Sequence, residues 1–334
     1  MWHVGIDLHR EFIVMAAVRD NGEIMEPVKI ACQDTDAILD VIRSLAPFRA
    51  VVEASGTYRW LYDLLCPHGT ILLAHPLRLR AMIQRRSKTD KLDAQLLANL
   101  LRIDQIPLAY VPPEPYQQLR DLVRCRAKLS RDRAEAKIKL RDMLARQNRV
   151  SPYKTPFGPR GLAWFGGQDF GPVGNMIRDE LLARLWHYDR QIAAFDKQLE
   201  QCRPDFPQTE AIADIYGIGH YSALLIVAEL GEVERFRTAK QVGAYAGLTS
   251  RVHQSGGHCY QGSITRQGSP WLRWILVEAA MKTVREDAAL RNFYNRVRKR
   301  SSAKIARVAA ARKLAEICWK RLRRWQRTHA EKAA

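Results

Sequence analysis

The sequence has no CxxC pair: its six cysteines, Cys32, Cys66, Cys125, Cys202, Cys259 and Cys318, stand singly along the chain. Zinc ribbons need thiolates in close pairs, and disulfide scaffolds need several bridges in a short chain. Neither organises this protein, and the expected compartment is a reducing cytosol. No run approaches the ~18 apolar residues of a membrane helix, and Asp7 and Arg10 interrupt the start, where a secretory leader would be apolar. The expectation is a soluble cytoplasmic protein with no membrane partner. No internal repeat is present. Acids are scarce near the end: from Arg291 to Ala334 there are 15 Lys or Arg against only Glu316 and Glu331.

What is present is a 334-residue chain, 47% hydrophobic and 27% charged, which suffices for two or three domains with ordinary cores. The net charge is +19. A surplus this large points to a polyanionic partner, and nucleic acid is the default. Arg321 and Arg324 in the basic tail are expected to grip phosphates in a salt-sensitive manner.

Hydrophobic patterning divides the chain in three. "HVGIDLHREFIVMAAVRDNGEIMEPVKIA" alternates as two or three strands around the turn signal Asp20-Asn21-Gly22. Thr35 to Ala46 has helical spacing, "RAVVEAS" and "TILLAHP" read as buried strands, and "YRWLYDLL" lies between them as a helix. A further helix starts near Lys88 behind Ser87 or Thr89. The order βββαβαβα predicts a mixed α/β sheet of RNase H-like type over residues 1–110. Residues 114–203 predict a coiled-coil hairpin of two helices, with a Gly/Pro-rich tip at 151–175. Its first seam is imperfect, because Arg126 and Arg133 fall on it. Residues 208–334 predict a mainly α-helical domain ending in a basic helix.

Four carboxylates stand in unusual settings. Asp7 in "VGIDLH" and Glu53 in "VVEASG" sit on apolar strands, while Asp90 and Asp93 in "KTDKLDAQLLA" share one helix face. A charge on an apolar strand is costly unless it is paired or binds a cation. Two strand acids and a helical pair suit hard divalent ions such as Mg2+, two of which, roughly 3.5–4 Å apart, can clamp a phosphodiester. Taken singly, each acid has a plainer explanation: a turn cap for Asp7, a pairing with Arg59 for Glu53, the helix dipole for Asp90, and surface charge for Asp93. Their joint order favours the metal. His9, close to Asp7, has the readings of a proton shuttle, a metal ligand or a local structural residue, and the last is the expectation. Arg78, Arg85, Arg86 and Lys88 form a basic run just before the helical pair and are expected to contact phosphate.

"IYGIGHYSALLIVAEL" has the pattern of a helix-hairpin-helix, in which the backbone at Gly217 and Gly219 can bind a DNA phosphate. Downstream, Ser255 precedes Gly256 and Gly257, with Arg251, Arg266 and Arg273 available to line a phosphate pocket. A serine is a poor nucleophile without activation, and on composition alone Ser250, Ser255, Ser263 and Ser269 have equal claims.

The blocks "GIDLHREFIVMAAVRDNGEI", "VVEASGTYRWLYDLL", "HPLRLRAMIQRRSKTDKLDAQLLANLL", "IYGIGHYSALLIVAELGEVERF" and "QSGGHCYQGSITRQGSPWLRWILVEAA" together resemble the IS110 insertion-sequence transposases, in that family's order. The resemblance implies a DEDD-type, bridge-RNA-guided recombinase with a RuvC-like domain, a coiled-coil segment and a transposase domain. It assigns the acidic tetrad to Asp7, Glu53, Asp90 and Asp93, and the nucleophile to Ser255, with Mg2+ as cofactor. It further implies double-stranded target and donor DNA, a structured noncoding guide RNA, and a homo-oligomer, a dimer or a synaptic tetramer. Two rival readings are a RuvC-like nuclease that hydrolyses branched DNA and an inactive nucleic-acid-binding scaffold.

Overall fold

The computed structural model of the chain describes residues 1–82, 89–255 and 258–333. It divides into two compact units, Met1–Val111 and Pro112–Ala334.

The first unit is a five-stranded mixed sheet with helices on both faces. Strands β1 (Trp2–Leu8), β2 (Phe12–Arg19) and β3 (Ile24–Ala31) form an antiparallel meander. Helix α1 (Thr35–Ser44) then leads to β4 (Phe48–Glu53), and α2 (Tyr58–Leu65) leads to β5 (Thr70–Ala74). β4 lies parallel to β1 and β5 parallel to β4, giving the order β3-β2-β1-β4-β5. The short helix α3 (Pro76–Met82) and helix α4 (Asp90–Arg102) complete the unit. The expected succession βββαβαβα is therefore present, with α3 as one extra short helix.

Alternation along the strands sorts the two faces. Val4, Ile6, Ile13, Met15, Ala50 and Val52 pack with Ile38 and Ile42 of α1 and Leu61 and Leu65 of α2. On the other face Val51 meets Leu97 and Leu101 of α4, and Val14 and Ala16 meet Ala94. Gly5, Asp7 and Glu53 fall on this second face, under α4.

The second unit opens with the long helices α5 (Glu114–Arg146) and α7 (Gly171–Cys202), joined through the short α6 (Pro159–Gly166). They run antiparallel, as their cross-pairs show. The two arginines that spoil the apolar seam are matched across it: Arg126 makes a two-pronged contact with Asp196 at 2.9 and 3.1 Å, and Arg133 meets Asp189 at 2.5 Å. Near the tip, Leu140 and Leu144 pack with Leu181, Leu185 and the fully buried Phe165.

At its root the hairpin joins a larger core, where Leu119, Val123 and Leu199 pack among the helices that follow. These are α8 (Glu210–Ala213), α9 (His220–Leu230), α10 (Ala239–Tyr245), α11 (Pro270–Glu286), α12 (Ala288–Arg300) and α13 (Ala303–Ala333). Glu229 of α9, buried at 1% exposure, is held by Arg124 at 2.7 and 2.9 Å, while Arg120 donates to the carbonyls of Ala228 and Glu229 at the end of that helix. A buried carboxylate is tolerable only with such a partner. Between α10 and α11 a two-stranded antiparallel hairpin stands out from this helical framework, β6 (Ser250–Ser255) and β7 (His258–Ile264).

Candidate active site

Asp7 is the next-to-last residue of β1, and Glu53 is the last residue of β4. Because β1 and β4 are parallel and Ile6 pairs with Val52, the two acids follow at the same level, at the carboxyl ends of adjacent strands. Helix α4 starts beside them. Thr89 caps it, its hydroxyl accepting from the Leu92 N–H, so Asp90 and Asp93 occupy the first turn. Acids in this position are favoured by the helix dipole.

What brings helix and strand together is Gly5. A Cβ on this residue would lie 2.0 Å from the Ala94 carbonyl oxygen and 2.4 Å from the Ala98 nitrogen. Only a residue without a side chain lets α4 lie this close to β1, and the contact sits two residues before Asp7. The result is a compact polar cluster. His9 Nε2 lies 3.1 Å from Asp7 Oδ2 and 3.3 Å from Asp90 Oδ1, and one donor atom from each of the three residues falls within 4.8 Å of the others.

Electrostatics agree with that geometry. The Asp7 carboxyl is held above its ordinary value first by burial; the nearby His9 opposes this, and the charges of Asp93 and Asp90 add to it. Asp93 is thus close enough to be felt by Asp7. Glu53 shares the sheet edge but is not a member of the three-residue group. Beside Glu53, whose strand partner is Ala74, comes His75. Its Nδ1 is buried with no hydrogen-bond partner among the described residues, and burial, then Arg78, lowers its pKa.

Such a cluster fits a divalent cation. Two carboxylate oxygens and an imidazole nitrogen can serve as ligands for a small dication, and an acid raised first by burial and then by nearby carboxylates gains from one. Sequence context favours a local structural role for His9 over a metal ligand or proton shuttle; the signal for the latter two is its position two residues after a strand-end acid. Of the basic run that precedes α4, Arg78 is exposed on α3, while Arg85, Arg86 and Lys88 lie outside the described residues.

The second unit carries the serine. Ser255 ends β6, its register partner being His258 on β7, and Gly256 and Gly257 lie outside the described residues. Arg251 and Arg266 flank the hairpin, Arg251 exposed on β6 and Arg266 just past β7 with a left-handed φ of 54°. Arg273 of α11 donates to the carbonyls of Ala246 at 3.1 Å and Arg266 at 3.4 Å. It thus ties together the two chain segments from which the hairpin rises, and burial, then Arg266, lowers its pKa.

The two glycines of "YGIG" have different surroundings. Gly217 has φ 94°, and a Cβ there would lie 2.8 Å from Lys282 Cβ and 2.9 Å from the Ala279 oxygen, so its backbone packs on α11. The Thr283 hydroxyl donates to the neighbouring Tyr216 carbonyl at 2.8 Å. Gly219, the N-cap of α9, is exposed, with nothing within 4 Å of its would-be Cβ.

In the basic tail, Arg321 is engaged by Asp214, while Arg324 is exposed. Unopposed charge also gathers on α12. There Asn292, Asn295, Arg296, Arg298, Lys299 and Arg300 line an open concavity of about 730 Å³. Among the described residues no carboxylate lies within ion-pair reach of these four cations. The acid-free stretch "RNFYNRVRKR" is the sequence signal for it.

Two family models match the chain in tandem. A transposase model of the IS110 DEDD type covers residues 4–148, from β1 through α4 to just past the end of α5. The second, "Transposase IS116/IS110/IS902 family", covers residues 209–295, from the residue before α8 through the serine hairpin into α12. The chain is similar over its length to a probable family 20 transposase of Pseudomonas aeruginosa, 26% identical over 86% of this chain and 87% of that one. It is also similar to the transposase for insertion sequence element IS1111A of Coxiella burnetii, 24% identical over 96% of this chain and 89% of the relative. A pilin gene-inverting protein of Moraxella bovis is 27% identical over 80% of this chain and 78% of its own. The acid cluster lies in the first matched block and the serine hairpin in the second, so the chain carries, in order, both transposase domains of the IS110/IS116 family.

Proposed function

We propose that this protein is an RNA-guided DNA transposase of a bacterial insertion sequence, which cuts and rejoins DNA through a phosphoserine link at Ser255. The observation that carries the reading is the folding of Asp90 back onto Asp7 by the close contact of α4 with Gly5. That contact gathers acids at the carboxyl edge of a sheet in the RNase H-like strand order. Asp7, Glu53, Asp90 and Asp93 would hold Mg2+, which when bound neutralises charge building up on a phosphodiester.

In this reading the Ser255 hydroxyl attacks a backbone phosphorus and gives up its proton. The bond from phosphorus to the departing strand breaks, and that strand leaves as a free hydroxyl. The serine ester conserves the phosphodiester bond, so an incoming strand hydroxyl can displace Ser255 and restore the linkage with no nucleotide cofactor. Arginines at the surface, Arg251, Arg266 and Arg78 among them, are suited to phosphate contact, as is the open N-terminus of α9 at Gly219. Recognition of target and donor double-stranded DNA is delegated to base pairing with a structured noncoding RNA, leaving the protein to grip backbones. The working form is a homo-oligomer.

Sequencing the RNA that co-purifies with the protein, then assaying strand exchange on DNA sites matching its loops, tests this directly. Asp7→Asn, Asp93→Asn and Ser255→Ala are each expected to lower exchange by at least about a hundredfold while RNA binding persists. If Ser255→Ala still cuts normally and leaves hydrolysed ends, the branched-DNA nuclease reading takes its place.

A further inference from the structure

Within the acid cluster the one group that a purely carboxylate centre leaves unexplained is His9. Its Nε2 faces two acids at once, 3.1 Å from Asp7 and 3.3 Å from Asp90. A single ring nitrogen has one site to use there: it donates its hydrogen to one carboxylate, or it offers its lone pair to a cation that all three residues share. The spacing suits the second use. In an octahedral shell with bonds of ~2.1–2.2 Å, neighbouring donor atoms are about 3 Å apart.

The ring is also held in place before any ion arrives. The His9 N–H donates to the Phe12 carbonyl at 3.0 Å, closing the turn between β1 and β2. The imidazole stacks on the Phe12 ring, with centroids 4.7 Å apart and planes inclined by 28°, and the Lys29 ammonium sits 3.5 Å from the same ring centroid. A histidine serving only as a hydrogen-bond tether needs neither the second carboxylate nor the stack. With His9 39% and Asp90 46% exposed, the cluster opens to solvent, leaving room for water or a phosphate oxygen to complete a shell.

We infer that His9 is a nitrogen ligand of the divalent ion held by Asp7 and Asp90, and that it biases the site toward Mn2+ over Mg2+. The inference rests on the reading of the cluster as a metal centre. Its selectivity follows from relative donor chemistry: both ions favour oxygen ligands, but Mg2+ is the harder and stricter of the two, whereas Mn2+, a transition-metal ion, accepts an imidazole nitrogen among them more readily.

The test uses the full-length protein stripped of metal, Mn2+ as the probe, and binding rather than turnover as the readout. Mn2+ binding is followed by electron paramagnetic resonance, and its pulsed form reports nitrogen coupled to the ion. The wild-type protein is expected to show one coupled nitrogen. His9→Ala, its fold checked by circular dichroism, is expected to lose that coupling. It should also bind Mn2+ about tenfold or more weakly, with a much smaller change in Mg2+ affinity measured by competition. If Mn2+ binds and Asp7→Asn abolishes the binding, but the wild-type spectrum shows no coupled nitrogen, the assignment of His9 is overturned while the metal centre stands. If Mn2+ fails to bind the wild type, or binds Asp7→Asn equally well, the metal-centre reading itself falls, and the His9 proposal with it.

Discussion

Cys318 sits wholly buried in the C-terminal core, and burial pushes its thiol up to about 12 from an ordinary 9.0. An unfolded chain would ionise that thiol first, so the folded state keeps a proton the unfolded state has given up. Stability owed to Cys318 is complete below pH 9 and falls as pH rises from 9 toward about 12. Chemical denaturation across that range is expected to show a decline that Cys318→Ala makes shallower; equal slopes in the two proteins would contradict it. The same environment should leave Cys318 inert to thiol reagents that label the exposed Cys66 and Cys125. At this scale much of the candidate site is legible in the sequence. Asp7 and Glu53 stand out because a charge on an apolar strand needs a reason, and Asp90 and Asp93 because their spacing shares a helix face. His9 stands out less: its place beside Asp7 admits a metal ligand or proton shuttle, but the local structural role is favoured until the helix that faces it is in place. Nor does spacing reveal that Gly217 serves packing on α11, which depends on a helix far along the chain.

Between elements, the decisive contact is that of α4 with β1. Gly5→Ala would drive a methyl group to 2.0 Å from the Ala94 carbonyl, so α4 must move off the strand. The expected cost is about 1–3 kcal/mol in stability, typical of overpacking. Strand exchange should fall much further than that destabilisation explains, because Asp90 and Asp93 move with the helix. An exchange rate within about twofold of wild type, in a protein that melts normally, would remove this contact from the account. The mixed sheet is legible because strand alternation and the Asn21-Gly22 turn are local signals. The antiparallel course of α5 and α7 is legible too, but the arginines on the seam read as flaws. They are answered by Asp189 and Asp196, acids that only the packed hairpin brings opposite them. The strand pair bearing Ser255 is hidden in a segment whose composition reads as largely helical. Glycine-dense turns surround it rather than an apolar alternation, and its base is tied by the Arg273 side chain, a link with no local sequence signature.

For the whole molecule the governing quantity is its charge of +19, and where that charge is unopposed. Removing one phosphate contact should flatten the salt dependence of nucleic-acid binding by about 0.9 in log–log slope for duplex DNA. Reversing Arg298 and Lys299 together on α12 is therefore expected to reduce the slope by about 2, as read by fluorescence anisotropy over a salt series. Reversing Arg321, already engaged by Asp214, should change it less. An unaltered slope for the α12 variant would make that concavity a merely solvated surface. Net charge is visible in composition, but its division between engaged and free cations emerges only once α12 and α13 are folded. The central claim, that a serine on a β-hairpin takes the DNA strand, is tested most directly by trapping. Protein, co-purified RNA and suicide DNA substrates, nicked so that the strand cannot be rejoined, are quenched in denaturant, digested and mapped by mass spectrometry. The account predicts a deoxynucleotide esterified to the peptide containing Ser255, absent in Asp7→Asn as well as in Ser255→Ala. Cleaved DNA with no adduct, or an adduct on another residue, would contradict it.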